Sequence, residues 1–188
     1  MRIISGEARG RKLKRVPGDS TRPITDRVKE NLFNIIGRMV VNSRWLDLFA
    51  GTGQVGLEAL SRGAASAVFT DNNKFAYLTT RENIRQTGLT NGAELLRSDA
   101  FNYLRSFGGQ PFDFIYIAPP QYKGLWRTAL TLIDAEPDRL LTAAGTAVVQ
   151  IHPKEFEPLP LTHLVLSDQR RYGATMLCFY RRAATEAG

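Results

Sequence analysis

The chain is poor in the side chains that most often build metal sites and disulfides. Its 188 residues include one cysteine, Cys178, and two histidines, His152 and His163. A lone cysteine excludes an internal disulfide and a cysteine-rich zinc site, and neither histidine has a partner at metal spacing. No apolar run approaches the ~20 residues that cross a bilayer, and the first residues lack an apolar core of signal-peptide length. We therefore expect a cytoplasmic monomer with neither a metal nor a membrane partner.

Positive charge is the one compositional excess, and it is confined to the first quarter of the chain. Residues 1–44 carry 11 Lys or Arg and four acidic residues, whereas the remaining 144 residues carry 14 of each sign, so the entire net charge of +7 arises in the first part. Such a block favours a polyanion such as RNA, because each phosphate contact releases counterions. The alternative is a solvated basic face. The candidate RNA contacts are Arg9, Arg11, Lys12, Lys14 and Arg15.

The first 43 residues are predicted to form an extension that precedes the main domain. We expect short strands at Arg2–Ile4 and Lys12–Val16, joined through a glycine-containing turn. Apolar residues then recur at helical spacing from Thr25 to Ile36, and Gly37 is placed to end that helix. We interpret residues 1–43 as a basic hairpin and helix that bind RNA.

Residues 44–183 alternate between strand and helix patterns, which predicts a parallel sheet covered by helices on both faces. The predicted strands are Trp45–Phe49, Ala67–Thr70, Glu94–Arg97, Phe112–Ile117 and Thr146–Ile151, and the predicted helices are Val55–Ser61, Lys74–Gln86, Phe101–Phe107 and Leu125–Ile133. Leu164–Ser167 and Thr175–Tyr180 then follow one another as strands. The predicted fold class is α/β: a Rossmann-like, mostly parallel seven-stranded sheet with an antiparallel C-terminal hairpin and a small N-terminal β-hairpin.

A glycine-rich loop follows the first strand of the main domain. The run Gly51-Thr52-Gly53-Gln54-Val55-Gly56 satisfies G-x-G-x-x-G between a predicted strand and a predicted helix. This motif alone is ambiguous, because it also fits a dinucleotide whose pyrophosphate lies at the helix N-terminus. Asp71, twenty residues after Gly51, is placed to bind a ribose in either case, or to cap the next helix.

Three features favour S-adenosylmethionine over NAD. Asp47 lies inside the strand, where a carboxylate suits a cationic ligand and is otherwise costly to bury. Asp99 follows the third strand, where it would accept a hydrogen bond from an adenine amine or cap a helix. The fourth strand ends in a proline loop that has no dinucleotide role but a familiar place in methyl transfer. The predicted cofactor-binding residues are Asp47, Phe49, Gly51, Gly53, Asp71, Asn72, Asp99 and Ala100.

Several motifs in the same order resemble the RsmD-type 16S rRNA guanine-N2 methyltransferases over nearly the whole chain. They are Met1–Leu13, Arg22–Ile35, Leu46–Gly53, Gly56–Ala64 and Arg171–Gly173. The resemblance implies a Rossmann-like methyltransferase, S-adenosylmethionine as donor, and a guanine N2 of 16S rRNA, free or in the 30S particle, as acceptor in rRNA processing. It also places the segment Arg22–Thr25 close to the cofactor and the base. Arg22 and Arg27 are further candidate RNA contacts, expected near the active-site mouth. For Arg27 the alternative is an ion pair with Glu30 or Asp26.

The chain departs from this family at the catalytic loop. The family ends its fourth strand in Asp-Pro-Pro-Tyr or Asp-Pro-Pro-Phe, where the Asp and the first proline carbonyl accept hydrogen bonds from the amine and the ring stacks on the flipped base. Here the carboxylate is replaced by Ala118, and Gln121 stands between the prolines and Tyr122. The predicted catalytic residues are Pro119, Pro120, Gln121 and Tyr122. Retention of both prolines and the ring favours an active enzyme with a rearranged loop, and the alternative is a catalytically weak or inactive cofactor-binding RNA module in ribosome assembly.

Overall fold

One seven-stranded sheet organises the part of the chain that the computed structural model describes, residues 1–18 and 23–184. Its strands are β1 (Arg44–Asp47), β2 (Ser66–Thr70), β3 (Ala93–Leu96), β4 (Phe112–Ile117), β5 (Leu141–Ile151), β6 (Leu164–Tyr172) and β7 (Thr175–Arg182). The helices are α1 (Asp26–Ile36), α2 (Gln54–Ser61), α3 (Lys74–Thr87), α4 (Ala100–Ser106), α5 (Leu125–Ala135) and α6 (Pro137–Leu140), with short 3-10 helices at Gly37–Val40 and Pro153–Glu155. Among these residues no helix is long and apolar enough to cross a membrane.

The strand order puts β1 and β4 side by side at the centre of the sheet. The order is β3-β2-β1-β4-β5-β7-β6, with β1 to β5 parallel and β7 antiparallel to both of its neighbours. The direction of winding reverses between β1 and β4, and a sheet of this kind binds ligands at the carboxyl ends of the strands where that reversal occurs. The predicted fold class, including the antiparallel C-terminal hairpin, is confirmed.

Apolar side chains pack on both faces of the sheet. On one face Trp45 of β1 stacks between Phe33 of α1 and Phe114 of β4, with ring centroids 5.4 and 4.7 Å away. On the other face Trp126 of α5 is buried in a second cluster with β4 and β5. Both faces are covered, so the central strands carry nearly continuous apolar runs, as Phe112–Ile117 does.

Residues 1–18 pack against the main domain. The predicted strands Arg2–Ile4 and Lys12–Val16 reduce to one antiparallel bridge between Arg2 and Lys12, so the prediction of two regular strands is wrong. The apolar side chains of this segment, Ile3, Ala8 and Leu13 among them, belong to the same buried cluster as Trp45. The domain boundary after residue 43 stays a prediction.

The backbone of this segment makes hydrogen bonds both within the segment and to side chains of the main domain. Within it, the N–H groups of Ile3 and Leu13 donate to the carbonyls of Arg11 and Met1 at 3.0 and 3.2 Å. The N–H groups of Ile4 and Ser5 donate to the carboxylate of Glu58 on α2, at 2.8 and 3.0 Å. The N–H of Lys14 donates to Asn83 of α3 at 2.8 Å, and the Asn83 amide donates back to the Lys14 carbonyl. The segment is therefore a short, irregular hairpin, and its N–H groups at Ile4, Ser5 and Lys14 dock it on α2 and α3.

Most predicted element boundaries of the main domain lie within two residues of the structure; two boundaries differ by more, and one helix was not predicted. β5 begins at Leu141, five residues before the predicted start, because its first part pairs with β4 through a register shift near Phe112. β6 continues to Tyr172 as a largely exposed edge strand, which lacks the apolar alternation that reveals a strand. The four-residue helix α6, which begins at Pro137, is absent from the prediction.

Gly6 brings the N-terminal segment into backbone contact with α2. Its φ is +86°, and a Cβ there would lie 1.7 Å from the carbonyl oxygen of Ser61. We expect Gly6→Ala to lower the free energy of unfolding by about 2–3 kcal/mol in urea denaturation, because the segment must move away. Gly10→Ala is the matched control, since Gly10 has φ +83° and open space around its Cβ. Gly10→Ala should lower the free energy of unfolding by about 1 kcal/mol. Equal decreases in both variants would contradict the steric argument.

Candidate active site

Two adjoining clefts open at the carboxyl ends of β1 and β4. The first is lined by residues that include Asp47, Gln54, Tyr116, Pro119, Gln121 and Gln150. The second, over the start of α3, is lined by residues that include Val16, Asp71, Asn72, Asn73, Ala76 and Pro120. Phe49, Gly51 and Ala118 line both clefts, so the two join there into one groove.

The glycine loop between β1 and α2 is held from behind by α3. The Thr80 hydroxyl donates to the Gly51 carbonyl at 2.9 Å, and the Asn83 amide donates to the Thr52 carbonyl at 2.8 Å. Gly53 begins α2 with φ +74°, and a Cβ at that position would lie 2.8 Å from the Thr80 methyl group. The loop therefore needs glycine at Gly53 for packing. At Gly51, which lines both clefts, an added Cβ would meet nothing within 4 Å.

Asp47 ends β1 as a buried carboxylate that faces the first cleft. It is 2% exposed and accepts a hydrogen bond from the Gly56 N–H at 3.1 Å. Burial raises the pKa of Asp47 to about 7; the Gly56 hydrogen bond opposes this rise and the charge of Asp71 adds to it. No cationic side chain pairs with it among the described residues. A buried carboxylate with unused acceptor capacity favours a cationic group in the cleft.

Asp71 ties the glycine loop to the start of α3. One carboxylate oxygen accepts from the Gly51 N–H and the other from the Asn73 N–H, both at 2.9 Å. Asn73 caps α3 by accepting from the N–H groups of Phe75 and Ala76, so the alternative that Asp71 is the helix cap is wrong. Asp71 and the exposed Asn72 both line the second cleft. A ribose-binding role for Asp71 stays a prediction that this placement supports.

Asp99 caps the N-terminus of α4. Its carboxylate accepts from the N–H groups of Phe101 and Asn102 at 3.0 and 2.9 Å, which is the capping alternative considered from the sequence. Ala100, the first residue of α4, is buried. Neither Asp99 nor Ala100 lines the two clefts described above. The adenine-binding role of Asp99 and Ala100 therefore stays an untested prediction.

The loop after β4 divides its residues between the groove and solvent. Pro119 and Gln121 line the first cleft, Pro120 lines the second, and Ala118 lines both. Tyr122 lines neither cleft; its side chain is 65% exposed, and its ring centroid lies 5.7 Å from that of His152. The inserted Gln121 thus occupies the groove side of the loop, and the aromatic ring lies outside it.

The first cleft also contains polar side chains that sequence reasoning missed. The Tyr116 hydroxyl donates to the Gln150 side-chain oxygen, and burial together with the charge of Asp47 raises the pKa of Tyr116 well above its ordinary value of 10. Gln54 is 4% exposed, and its side-chain oxygen has no hydrogen-bond partner in the described part of the chain. The available signal was strand alternation, which puts Tyr116 on the same face as Ala118 two residues later.

Structural contacts separate the predicted RNA-binding residues into two groups. The Arg11 guanidinium donates to the carbonyls of Thr87 and Gln86 at the end of α3, and the Lys14 ammonium pairs with Glu82 at 3.1 Å. These two side chains fasten the N-terminal segment to α3, a role that the sequence did not reveal. Because their charged groups already bind α3, they are the weaker candidates for RNA contact.

The second group is exposed and free of ion pairs among the described residues. It consists of Arg9, Lys12, Arg15 and Arg27. The alternative for Arg27 was an ion pair with Glu30 or Asp26. Among the described residues neither pair forms, and Asp26 pairs with Arg2 at 3.2 Å instead. Arg22 lies outside the described residues.

Metal ligation is not a feature of the groove as described. Within residues 1–18 and 23–184, no three His, Cys, Asp or Glu side chains lie close enough together to hold a metal ion. The acidic side chains that line the groove, Asp47 and Asp71, bond to backbone N–H groups instead.

Known proteins resemble most or nearly all of the chain. A protein described as "Putative rRNA methyltransferase YlbH" from Bacillus subtilis (strain 168) is 40% identical over 185 residues, 97% of this chain and 99% of that protein. "Ribosomal RNA small subunit methyltransferase D" of Escherichia coli (strain K12) is 37% identical over 134 residues, 71% of this chain and 67% of that protein. The solved structure described as "Putative methyltransferase yhhF from Escherichia coli" has a TM-score of 0.85 at 31% identity, covering 98% of this chain and 99% of that one.

The family comparison agrees with the motifs of the sequence. The model of the family described as conserved hypothetical protein 95 matches residues 1–181. That range includes the N-terminal segment, the glycine loop and the proline loop, so the match extends over every part of the groove. The chain therefore belongs to the conserved hypothetical protein 95 family, which is the RsmD family of methyltransferases that its motifs resemble.

Proposed function

We propose that this chain is an S-adenosylmethionine-dependent RNA methyltransferase that modifies the exocyclic N2 of a guanine in small-subunit (16S) rRNA. The observation that carries the proposal is the buried Asp47 carboxylate, which lacks a cationic partner and faces a groove that also contains the proline loop. A dinucleotide would place its pyrophosphate against this carboxylate, so NAD is disfavoured. The similarity to rRNA methyltransferases supplies the substrate class.

The groove fits the proposed methyl donor. Asp47 would hold the ammonium of the methionine part, with the unpartnered oxygen of Gln54 as a second acceptor in the same cleft. Phe49 and Gly51 would form the wall next to it, and Gly53, which lines neither cleft, would keep the loop packed against α3. Asp71 and Asn72, in the second cleft, would bind the ribose hydroxyls. S-adenosylmethionine supplies an electrophilic methyl group on a sulfonium.

The proline loop would hold the guanine. Pro119 lines the first cleft, where its carbonyl would accept a hydrogen bond from the base amine and orient the nitrogen lone pair. Gln121 lines the same cleft and supplies a neutral amide oxygen as a second acceptor. Pro120 keeps the loop rigid between the two clefts. The missing carboxylate at Ala118 makes this acceptor set weaker than that of the family's motif.

One observation favours the second candidate, a module that binds cofactor and RNA without efficient methyl transfer. Ala118 offers no acceptor to the amine, and the Tyr122 ring lies outside both clefts. Donor binding is common to both functions, so methyl transfer is the property that distinguishes them.

Transfer of labelled methyl groups tests the proposal directly. The purified chain is incubated with labelled S-adenosylmethionine and either unmethylated 16S rRNA or 30S particles, and the modified nucleoside is identified by mass spectrometry. We expect label in N2-methylguanosine. Donor binding without label in any such substrate would favour the module, and the absence of donor binding would exclude both candidates.

Donor affinity is expected to depend on pH through Asp47. The pKa of Asp47 is raised to about 7, so the free protein is increasingly protonated at this site below pH 7 and must lose the proton to bind a cation. The dissociation constant for S-adenosylhomocysteine, which retains the ammonium, should rise up to about tenfold per pH unit below 7 in calorimetric titrations. Asp47→Asn should bind weakly and lose this dependence; a pH-independent wild-type affinity would contradict the assignment.

RNA affinity is expected to depend on the exposed basic residues of the N-terminal segment. Lys12→Gln combined with Arg15→Gln should weaken binding to a 16S rRNA fragment about tenfold at moderate salt and lower the salt slope by about 1.5 to 2, because two phosphate contacts are lost. Binding is measured by fluorescence anisotropy from low to high salt. Arg105→Gln, which removes one exposed positive charge from α4, should leave the slope unchanged. Equal slopes for all proteins would contradict the prediction.

A further inference from the structure

Tyr122 is held in a backbone conformation that its side chain disfavours. Its φ is +60°, in the left-handed region that residues with a Cβ rarely adopt. The other described non-glycine residue with a positive φ is Asn42, and asparagine is among the residues that tolerate this region. A tyrosine stays in this conformation only where its surroundings hold it there.

The carboxylate of Glu155 provides that hold. One of its oxygens accepts from the Tyr122 N–H at 2.7 Å, and the other accepts from the His152 N–H at 3.1 Å. The same side chain therefore joins the loop after β4 to the turn after β5, 33 residues away in sequence. His152 is fixed in turn, because its Nδ1 accepts from the Lys154 N–H at 3.1 Å.

This geometry determines which side chain of the loop faces the groove. A left-handed residue turns the chain sharply, and here the turn comes directly after Gln121. Gln121 lines the first cleft, and the Tyr122 ring lies outside it against the His152 ring, with 39° between the ring planes. One face of an exposed aromatic ring, supported from behind by a second ring, is a suitable stacking surface for an unpaired base.

We propose that Glu155 is a positioning residue for the RNA: by binding the Tyr122 N–H, it keeps Gln121 in the groove and presents the Tyr122–His152 ring pair as a stacking platform for a nucleobase. The identity of the RNA rests on the proposed function. The hold on the loop does not, because it is a property of the protein alone and is measured without methyl transfer.

Amide hydrogen exchange and RNA kinetics test the role of Glu155. In Glu155→Ala the Tyr122 amide should exchange at least about tenfold faster, because its acceptor is gone. The KM for 16S rRNA should rise about five- to tenfold, within the range that stacking on an aromatic ring contributes. The donor dissociation constant and the melting temperature should stay near the wild-type values. Glu157→Ala is the matched control, since Glu157 pairs with Arg127 of α5 and should change none of these quantities.

A double-mutant cycle separates positioning from general stability. Glycine adopts positive φ freely, so Tyr122→Gly removes both the ring and the need for the hold. In that background Glu155→Ala should change the KM for RNA less than twofold. With Tyr122 present, Glu155→Gln keeps one acceptor for the Tyr122 N–H and should have a KM for RNA close to the wild-type value. Equal effects of Glu155→Ala in both backgrounds would overturn the proposal, as would unchanged exchange of the Tyr122 amide.

The two proposals fail in different ways. If no protein transfers methyl groups, the proposed function fails, and the inference is then decided by amide exchange and by anisotropy with a labelled, guanine-containing single-stranded RNA. Weaker binding of that RNA by Glu155→Ala and by Tyr122→Gly, with Glu157→Ala unchanged, would support the platform. Equal binding by all four proteins would exclude it.

Discussion

Replacing Ala118 with aspartate is expected to raise the rate of methyl transfer by about 30- to 1,000-fold, the equivalent of ~2–4 kcal/mol for one charge-assisted acceptor in a transition state. Ala118 lies where the two clefts meet, directly before the Pro119 carbonyl. A carboxylate there would accept a hydrogen bond from the guanine amine while its nitrogen is attacking. The rate is measured in single turnovers with saturating donor and 16S rRNA, so that binding does not limit it.

Two further variants at this position show whether charge or hydrogen bonding is responsible. Ala118→Asn supplies a neutral acceptor and should give a smaller gain than Ala118→Asp, because a charge-assisted hydrogen bond is about twice as strong. Ala118→Val adds volume without an acceptor and should not raise the rate. If the rate of Ala118→Asp equals that of the wild-type protein while donor and RNA affinities are unchanged, another group, such as Gln121, already fills the acceptor role.

Replacing Glu58 with glutamine is expected to lower the free energy of unfolding by about 3–5 kcal/mol, because it leaves a buried ammonium without its counter-charge. Glu58 and Lys29 are both fully buried, and their charged atoms are 3.2 Å apart. Burial lowers the pKa of Lys29 even beside Glu58. The same carboxylate accepts from Arg62 and from the N–H groups of Ile4 and Ser5, so glutamine also loosens the N-terminal segment.

Urea denaturation of paired variants separates charge from packing. Lys29→Met in the Glu58→Gln background removes the unpaired ammonium and should recover part of the lost stability. Glu82→Gln is the control, because Glu82 pairs with Arg85 and Lys14 at the surface, where ion pairs contribute little. If the losses from Lys29→Met and Glu58→Gln simply add, the two side chains do not act as a pair.

The alternating part of the fold and the donor half of the groove could be predicted from local sequence. The runs that form β1 to β4 are short, apolar and separated by helical periodicity, so both their type and their order follow from the chain. Asp47 and the glycines Gly51 and Gly53 lie within seven residues of one another, and the glycine-rich motif itself specifies their arrangement. Asp71 follows β2 directly. Because β2 pairs with β1 in parallel, the ends of the two strands bring Asp71 beside the glycine loop.

The rest of the groove depends on contacts between distant residues. Tyr116 and Gln150 are 34 residues apart and meet only because β4 and β5 pair in one register. The direction of the Tyr122 ring depends on Glu155, which no local pattern connects to it. Edge strand β6 was predicted too short for a related reason: its outer surface faces solvent, so burial does not impose an alternating pattern on it.

The docking of the N-terminal segment has a consequence for the order in which the chain folds during synthesis. Residues 1–18 are synthesised before their partners on α2 and α3, which lie 53 to 76 residues further along. At synthesis rates of about 5–20 residues per second, those partners are made roughly 3 to 15 s later. Through that interval residues 1–18 have only α1 among their helical partners, through contacts such as Arg2 with Asp26, so this basic segment docks fully only after α2 and α3 have been made.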